Sequence, residues 1–305
     1  MAVTIDTFEH EALFYEGVDG FLDGTLPFLR EGLEAGEPML VAVSAAKIAR
    51  LRAALGSQAD AVEFADMSVL GRNPGRIISA WWDFVEAHPD QPIRGIGEPV
   101  WAGRGAAELV ECQLHESLLN LAFAGTPSFR LLCPYDAAAL AEGALHEARC
   151  SHPVVDARES AQYRGSERLL SPFETPLPAP TAPAASSAFD ADSLEEVRNT
   201  VTAWAARAGL SRSRTADLVL AVNEAAANSI VHGGGHGVLR SWSEDGSFVC
   251  EVRDRGRITN PLVGRRRAAL DAATGRGIWL THQLCDLVQV RSGADGTVVR
   301  VHMAA

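Results

Sequence analysis

Lysine is almost absent from this sequence of 305 residues, since Lys47 is the single lysine among 27 lysine and arginine residues. A P-loop, which binds nucleotide phosphates, needs a lysine in the pattern GxxxxGK followed by serine or threonine. The segment 44–48 reads SAAKI, with no glycine before the lysine and no hydroxyl residue directly after it. The usual backbone cradle for phosphates cannot form there, so the sequence excludes a P-loop nucleotide site.

Long apolar runs and clustered cysteines are also missing. No segment approaches the about 20 apolar residues of a membrane span, and the N-terminal stretch lacks the basic and apolar regions of a secretory signal. We therefore expect a cytoplasmic protein without a membrane segment. The cysteines form no CxxC pair and no Cys/His cluster with metal-ligand spacing, which predicts buried, reduced thiols. They are Cys112, Cys133, Cys150, Cys250 and Cys285.

Basic charge is not in excess in either half of the sequence. Residues 1–150 contain 22 acidic and 10 basic residues, a net charge of −12, whereas residues 151–305 contain 17 of each. Non-specific binding to nucleic acid needs a basic surface, so no direct nucleic-acid partner is expected. The uneven charge also indicates two different modules.

A proline-rich stretch separates these modules. Residues 171–187 read SPFETPLPAPTAPAASS and contain five prolines. Proline fixes φ and removes a hydrogen-bond donor, which predicts neither helix nor sheet there. We place the domains at residues 1–155 and 189–305, with a linker at 156–188.

Both modules have patterns typical of α/β domains. In the first, short apolar runs such as 38–43, 62–67 and 129–136 alternate with segments of helical spacing, the last of them at 137–148. This alternation predicts a mostly parallel sheet covered by helices on both faces, an α/β/α domain. The second module reads helix, helix, strand, strand, helix, strand, strand, which predicts a two-layer α/β sandwich with a mixed sheet.

Three short motifs of the second module could build one site. Glu224 and Asn228 are four residues apart and share a helix face, where a carboxylate and an amide can align a hydroxyl and ligate a hard cation. Asp254-Arg255-Gly256 ends an apolar strand, where an acidic side chain can accept from an exocyclic amine. A third motif, at 275–277, opens a helix, and helix N-termini favour phosphate. Each motif alone is equally compatible with an ordinary polar helix face, turn or loop.

In this order, the motifs resemble the N box, G1 box and G2 box of the GHKL superfamily of ATP-binding (Bergerat-type) domains. The run AVNEAAANSIVHG at 221–233 resembles the anti-sigma-factor serine kinases in particular, and the similarity covers about 189–305. It implies ATP and Mg²⁺ as cofactors, with Glu224 as the general base and Asn228 as the Mg²⁺ ligand. It implies that the base and phosphates contact Asp254, Gly256, Gly275, Arg276, Gly277 and Thr297.

The same resemblance implies a sigma factor and a STAS-type anti-anti-sigma factor as partners, with phosphorylation of a serine or threonine of the latter. The G1 box departs from the family pattern, because Ile258 replaces the second glycine. An ATP-binding switch that sequesters a partner without catalysis is therefore an alternative. A sensor histidine kinase is another, since His115 precedes Glu116 as phosphoacceptor histidines often precede glutamate. Arginines 265–267 could contact phosphate or simply form a solvated basic loop.

The first module resembles the MEDS sensory domain, a degenerate RecA/KaiC-like fold, through its start at 10–15 (HEALFY) and the segment 26–43. The resemblance implies a domain that senses a small organic ligand. Candidate ligand contacts are His10, Tyr15, Glu98, Trp101 and His115, although each is also compatible with ordinary packing. The ligand and the oligomeric state stay open, a homodimer included.

Overall fold

The computed structural model describes residues 8–126, 128–165, 170–267 and 276–304. The chain divides into two compact units, residues 1–170 and 171–305. Among the described residues, the first unit contains a seven-stranded sheet and the second a five-stranded sheet. No helix in these ranges is long and apolar enough to cross a membrane.

The first unit alternates strands with helices, as the sequence predicted. Its strands are β1 (Glu9–Tyr15), β2 (Met39–Val43), β3 (Glu63–Asp66), β4 (Ile93–Gly97), β5 (Phe129–Asp136), β6 (Val154–Val155) and β7 (Arg158–Glu159). Its helices are α1 (Gly17–Ala35), α2 (Ala45–Leu55), α3 (Met67–Leu70), α4 (Ile77–Ala87), α5 (Ala106–Ala122) and α6 (Glu142–Ser151). Two 3₁₀ helices lie at Gly56–Ala61 and Pro74–Arg76.

The sheet of the first unit has the strand order β3-β2-β4-β5-β1-β6-β7. Every described pair is parallel except β6 and β7. All residues of β2 and β4 are buried, as is typical of parallel strands covered on both faces. The predicted mostly parallel α/β/α fold is therefore confirmed.

Two local features differ from the sequence-based expectation. Residues 9–15 form β1, an interior strand of the sheet between β5 and β6, whereas the sequence suggested only a ligand-binding motif there. The predicted helix 137–148 is wrong at its start, because α6 begins at Glu142. The carboxylate of Asp136 accepts from the Ala138 amide at 3.1 Å, and this local hydrogen bond favours a turn over a helix.

The second unit packs helices against an antiparallel sheet. Its helices are α7 (Ser171–Glu174), α8 (Leu194–Arg207), α9 (Arg212–His232) and α10 (Arg276–Leu284). Its strands are β8 (Ala185–Asp190), β9 (His236–Glu244), β10 (Ser247–Asp254), β11 (Leu287–Gly293) and β12 (Gly296–Ala304).

The strand order in this sheet is β11-β12-β10-β9-β8. Every described pair is antiparallel, so the expectation of a mixed sheet is wrong, although the two-layer α/β fold is confirmed. The hairpins β9–β10 and β11–β12 account for two of the four antiparallel pairs, since such neighbours need only tight turns. The turn between β9 and β10 contains Asp245 and Gly246, both with positive φ of 47° and 74°, as a type I′ turn requires.

Both ends of the predicted linker 156–188 lie in folded structure. β7 pairs with β6 in the first unit, and β8 pairs with β9 in the second. The expectation that the stretch 171–187 forms neither helix nor sheet is wrong at its ends, because Pro172 is tolerated in the first turn of α7 and no proline follows Pro183 before β8. The segment between them also packs, because the carbonyl of Pro178 accepts from Arg300 Nη2 at 2.8 Å.

Candidate functional site

Helix α9 places Glu224 and Asn228 next to the start of α10. Both side chains are half-buried, while the intervening Ala225 and Ala226 are buried. Gly277 permits the close approach, because a Cβ there would lie 2.8 Å from Glu224 Oε2 and 3.2 Å from Asn228 Nδ2. The carboxylate and the amide therefore converge on the first turn of α10.

The other residues of the third motif are less informative. Gly275 lies outside the described residues. Arg276 is the first residue of α10 and is exposed. The N–H groups at a helix start point away from the helix and favour anions, so the first turn of α10 has the polarity that a phosphate requires.

The carboxylate of Asp254 is held in a fixed orientation at the end of β10. Its Oδ2 accepts from Ser229 Oγ at 2.6 Å and its Oδ1 accepts from the Gly256 amide at 2.7 Å. Gly233 makes room for it, since a Cβ at that position would lie 2.4 Å from Asp254 Cγ. Each carboxylate oxygen has a second lone pair, which leaves Asp254 able to accept from a further donor.

Thr297 lies beside Asp254, because the two residues are partners in the β10–β12 ladder. Its hydroxyl donates to the Gly256 carbonyl at 2.9 Å and lies 2.9 Å from Ser292 Oγ. Ser292 in turn accepts from the Ile258 amide at 2.8 Å. The loop after β10 is therefore tied to β11 and β12 by side-chain hydroxyls. Ser292 was not anticipated from the sequence, and Ser229, although it directly follows Asn228 within the run 221–233, was given no role there.

A cavity of about 350 Å³ opens between these elements. Its polar lining residues are Asn228, His232, Asp254, Arg257 and Thr297, and its apolar lining includes Ile258, Val263, Ile278 and Val299. Ligand pockets for small molecules have this size and this mixture of apolar walls with a few polar groups. Ile258 lines the cavity without filling it. Glu224 is not among the lining residues and stands next to the cavity at Gly277.

The arginines of the following loop differ from one another. Arg265 is only 3% exposed, so the interpretation of a wholly solvated basic loop is wrong for this residue. Arg266 and Arg267 are exposed, and the guanidinium of Arg267 lies 5.8 Å from the ring centroid of Trp279.

The ligand contacts predicted in the first unit do not form one site. Tyr15 and Glu98 meet the sole lysine, because Glu98 Oε1 accepts from the Tyr15 hydroxyl and from Lys47 Nζ, each at 2.5 Å. Burial raises the pKa of Glu98 in spite of the Lys47 ammonium, and burial beside Glu98 raises the pKa of Tyr15. Trp101 lies elsewhere, with its ring centroid 3.6 Å from the Arg104 guanidinium carbon.

The two predicted histidines of the first unit are buried. His10 is hydrogen-bonded to Asn120 and Glu116 at 3.0 and 3.1 Å. His115 is 1% exposed on α5, so its imidazole does not face solvent as a phosphoacceptor histidine must. The geometry of this unit therefore does not support the histidine-kinase alternative.

The family comparisons agree with the division of the chain into two units. Residues 9–153 match the family described as MEDS, the methanogen/methylotroph, DcmR sensory domain. Residues 188–303 match the family described as the histidine kinase-like ATPase domain. The chain therefore combines a MEDS domain with a histidine kinase-like ATPase domain, and both predicted domain types are confirmed.

One solved structure with similarity to the chain contains the RsbU and RsbW domains of Rv1364c from Mycobacterium tuberculosis. The sequence identity is 23% and the TM-score is 0.31. The similarity covers 40% of this chain and 32% of that one, so the chain spans about a third of that structure's length. No curated protein matches the chain.

Proposed function

We propose that the second unit binds ATP with Mg²⁺ and transfers the γ-phosphoryl group to a serine or threonine of a partner protein. The observation that supports this most directly is the convergence of Glu224 and Asn228 on Gly277, beside the cavity that contains Asp254. One end of the site can recognise a base, and the other can position a phosphate and a hydroxyl.

The cavity suits an adenine ring. Apolar side chains of the cavity wall contact the faces of a planar base, while Asp254 accepts from its exocyclic amine. The hydrogen bonds from Ser229 and Gly256 fix the carboxylate before the ligand arrives, which lowers the ordering cost of binding. Thr297 adds a hydroxyl next to the same edge.

The residues around Gly277 fit the phosphate end. The amide oxygen of Asn228 is a hard donor suited to Mg²⁺, which protein sites hold through few side chains plus substrate phosphates. A bound Mg²⁺ would neutralise charge on the transferring phosphoryl group. Glu224 lies one helical turn from Asn228, where its carboxylate can accept the proton of an attacking hydroxyl. The first turn of α10 supplies the anion-binding backbone.

The sequence resemblance to anti-sigma-factor kinases supplies the proposed partners. They are a sigma factor and a STAS-type anti-anti-sigma factor, the latter carrying the acceptor hydroxyl. The MEDS domain is proposed to adjust this activity in response to a small molecule. The cytoplasmic location and the homodimer stay predictions from the sequence.

A non-catalytic switch is the second candidate function. Ile258 at the cavity wall and the position of Glu224 outside the cavity lining favour it. In that case, ATP would control whether the second unit holds a partner, and no phosphate would be transferred.

The deciding experiment incubates the full chain with Mg²⁺, ATP radiolabelled at the γ-phosphate, and candidate STAS proteins. We expect label on a serine or threonine of one STAS protein. Glu224→Gln should lower the transfer rate by about 10²–10⁴-fold, as loss of a general base does, and should leave ATP affinity nearly unchanged. Glu196→Gln is the matched control, because Glu196 is an exposed glutamate in the first turn of α8.

The other outcomes separate the alternatives. ATP-dependent capture of a sigma factor without any phosphotransfer would establish the switch. Label on His115 would establish the histidine kinase. A wild-type chain that binds no ATP at millimolar concentration would refute both the kinase and the switch.

A further inference from the structure

Four potential metal ligands converge in the core of the first unit. His10 is on β1, Glu116 on α5 and Cys133 on β5, and His152 directly follows α6. Each offers one ligand atom, and these atoms all lie within 4.8 Å of one another. All four residues are at most 1% exposed, so the convergence is not a chance feature of a polar surface.

Four of the six separations between these atoms are close to those around a tetrahedral ion. Glu116 Oε2 lies 3.1 Å from His10 Nε2 and 3.4 Å from His152 Nε2. Cys133 Sγ lies 3.4 Å from His10 Nε2 and 3.6 Å from Glu116 Oε2. Tetrahedral Zn²⁺ bonds of about 2.0–2.3 Å place neighbouring ligand atoms about 3.2–3.7 Å apart.

Hydrogen bonds outside the cluster set the histidine tautomers. Nδ1 of His10 lies 3.0 Å from Asn120 Oδ1, and the Asn120 amide is oriented by its own donation to the Ser151 carbonyl at 2.8 Å. Nδ1 of His152 lies 2.8 Å from the Ala148 carbonyl. Because both partners are acceptors, each Nδ1 carries the proton, and each Nε2 directs a lone pair into the cluster.

The converging ligand atoms are therefore mainly hydrogen-bond acceptors, with too few hydrogen-bond donors among them. Among the four ligand side chains, two imidazole lone pairs and a carboxylate face one another, and the Cys133 thiol supplies the only proton. His152 Nε2 has no hydrogen-bond partner among the described residues. Buried acceptors without donors are costly, and a cation would satisfy all of them together.

The charge of the cluster points the same way. With the ring proton on Nδ1, each imidazole is neutral and gives the cluster no positive charge. An ionised Glu116 carboxylate would then be buried without a compensating cation among the four ligands. A divalent ion bound by the carboxylate and a Cys133 thiolate would make the site neutral.

We infer that His10, Glu116, Cys133 and His152 bind one divalent transition-metal ion. Mixed nitrogen, sulfur and oxygen donors in tetrahedral arrangement suit Zn²⁺ best. Binding releases the thiol proton of Cys133 to solvent, and no redox step is involved. A crevice beside Glu116 and Tyr135 has a free volume of only about 10 Å³, room for about one water. Because all four ligand atoms are buried within 4.8 Å of one another, the site takes an ion rather than an organic ligand, and four protein ligands make it closed and non-catalytic.

Cobalt spectroscopy on the full chain tests the inference. The purified protein is analysed for metal, stripped with a chelator and titrated with Co²⁺ and then Zn²⁺. We expect one tightly bound Co²⁺ with a thiolate-to-cobalt charge-transfer band and the visible d–d bands of tetrahedral coordination, and Zn²⁺ should abolish both. Cys133→Ser should remove the charge-transfer band. Cys112→Ser is the matched control, since Cys112 is another buried thiol of the same unit, and it should keep the band.

Asn120→Ala provides a second readout that keeps the ligand set intact. It should lower metal affinity by about 10–100-fold while the charge-transfer band persists, as expected when the partner of a ligating histidine is lost. If Cys133→Ser fails to fold, the wild-type spectrum and Asn120→Ala still decide. A stripped wild type that binds no Co²⁺, a spectrum without the thiolate band, or a folded Cys133→Ser that keeps the band would each overturn the inference.

Discussion

Replacement of Asp254 by asparagine removes one charge from the proposed adenine site and is not expected to disrupt the fold. The asparagine oxygen can still accept from the Gly256 amide, as Oδ1 of Asp254 does at 2.7 Å. Its NH₂ group would face Ser229, whose hydroxyl also reaches the Ala225 carbonyl at 3.2 Å. The serine can therefore accept from the amide and donate to that carbonyl instead. We expect Asp254→Asn to fold normally.

The expected loss is in nucleotide affinity. A hydrogen bond to a charged group contributes ~1.5–3 kcal/mol, so loss of the carboxylate should raise the dissociation constant of ATP–Mg²⁺ by about 10- to 100-fold. The loss of affinity should depend on which base the nucleotide carries. Inosine triphosphate carries a carbonyl where ATP carries its amine, and this carbonyl would face the Asp254 carboxylate without a proton between them. Wild type should bind ATP more tightly than inosine triphosphate, and Asp254→Asn should reduce this difference in affinity.

Isothermal titration of the full chain with both nucleotides measures these effects. Asp245→Asn is the control, because it makes the same charge change at an exposed position of the β9–β10 turn. Asparagine tolerates the positive φ of that residue. If Asp254→Asn bound ATP as tightly as wild type and kept its preference over inosine triphosphate, the carboxylate would not contact the base and the proposed orientation of the nucleotide would be wrong.

Three further predictions concern individual contacts. Gly277→Ala should change the free energy of unfolding by no more than about 1 kcal/mol, as measured by urea titration. It should slow phosphotransfer in a kinase assay, because the added Cβ would lie 2.8 Å from Glu224 Oε2 and therefore displaces this flexible carboxylate. Arg300→Met should cost about 1.5–3 kcal/mol in urea unfolding, since Glu251 Oε2 loses its 2.7 Å ion pair with Arg300 while Arg240 and Arg253 still pair with Oε1. Burial lowers the pKa of His302 from 6.5 in the unfolded chain to about 4 in the folded protein. Between about pH 4 and pH 6.5, the unfolded state therefore binds more protons than the folded state. Stability should therefore fall by on the order of 3 kcal/mol as pH drops through this window, and His302→Gln should remove that share of the decline.

Much of the fold could be predicted from local sequence pattern. The buried strands β2 and β5 are short apolar runs, and α9 and α10 have helical spacing, so each lies close to its predicted position. Strand β8 could not be found this way. Its residues 185–190 form no apolar run, and five of the six are exposed. Strand β8 forms because its backbone hydrogen-bonds to the edge of β9, and such pairing leaves no recognisable pattern in the local sequence.

The two candidate sites differ in how much of them is visible in the sequence. The nucleotide-site motifs are each a few residues long, because the backbone of a single helix start or strand end performs the binding. Their order along the chain was therefore enough to propose one candidate site for them. The hydroxyls of Ser229 and Ser292, which fix Asp254 and the loop after β10, contact their partners across 25 and 34 residues, so no local motif indicated these contacts.

The metal ligands are the extreme case of such long-range assembly. His10 is separated from Glu116 by 106 residues and from Cys133 by 123. The spacing rule for metal sites assumes pairs of ligands on one turn or hairpin, so its negative result for the cysteines was valid only for local sites. A parallel sheet brings distant segments side by side, since β1 and β5 are neighbours in space although more than 100 residues separate them in the chain. In such a fold, a histidine on one strand and a cysteine on the next meet through the strand order. Ligand searches in α/β domains should therefore compare residues on strands that the predicted topology makes adjacent, in addition to residues that are close in sequence.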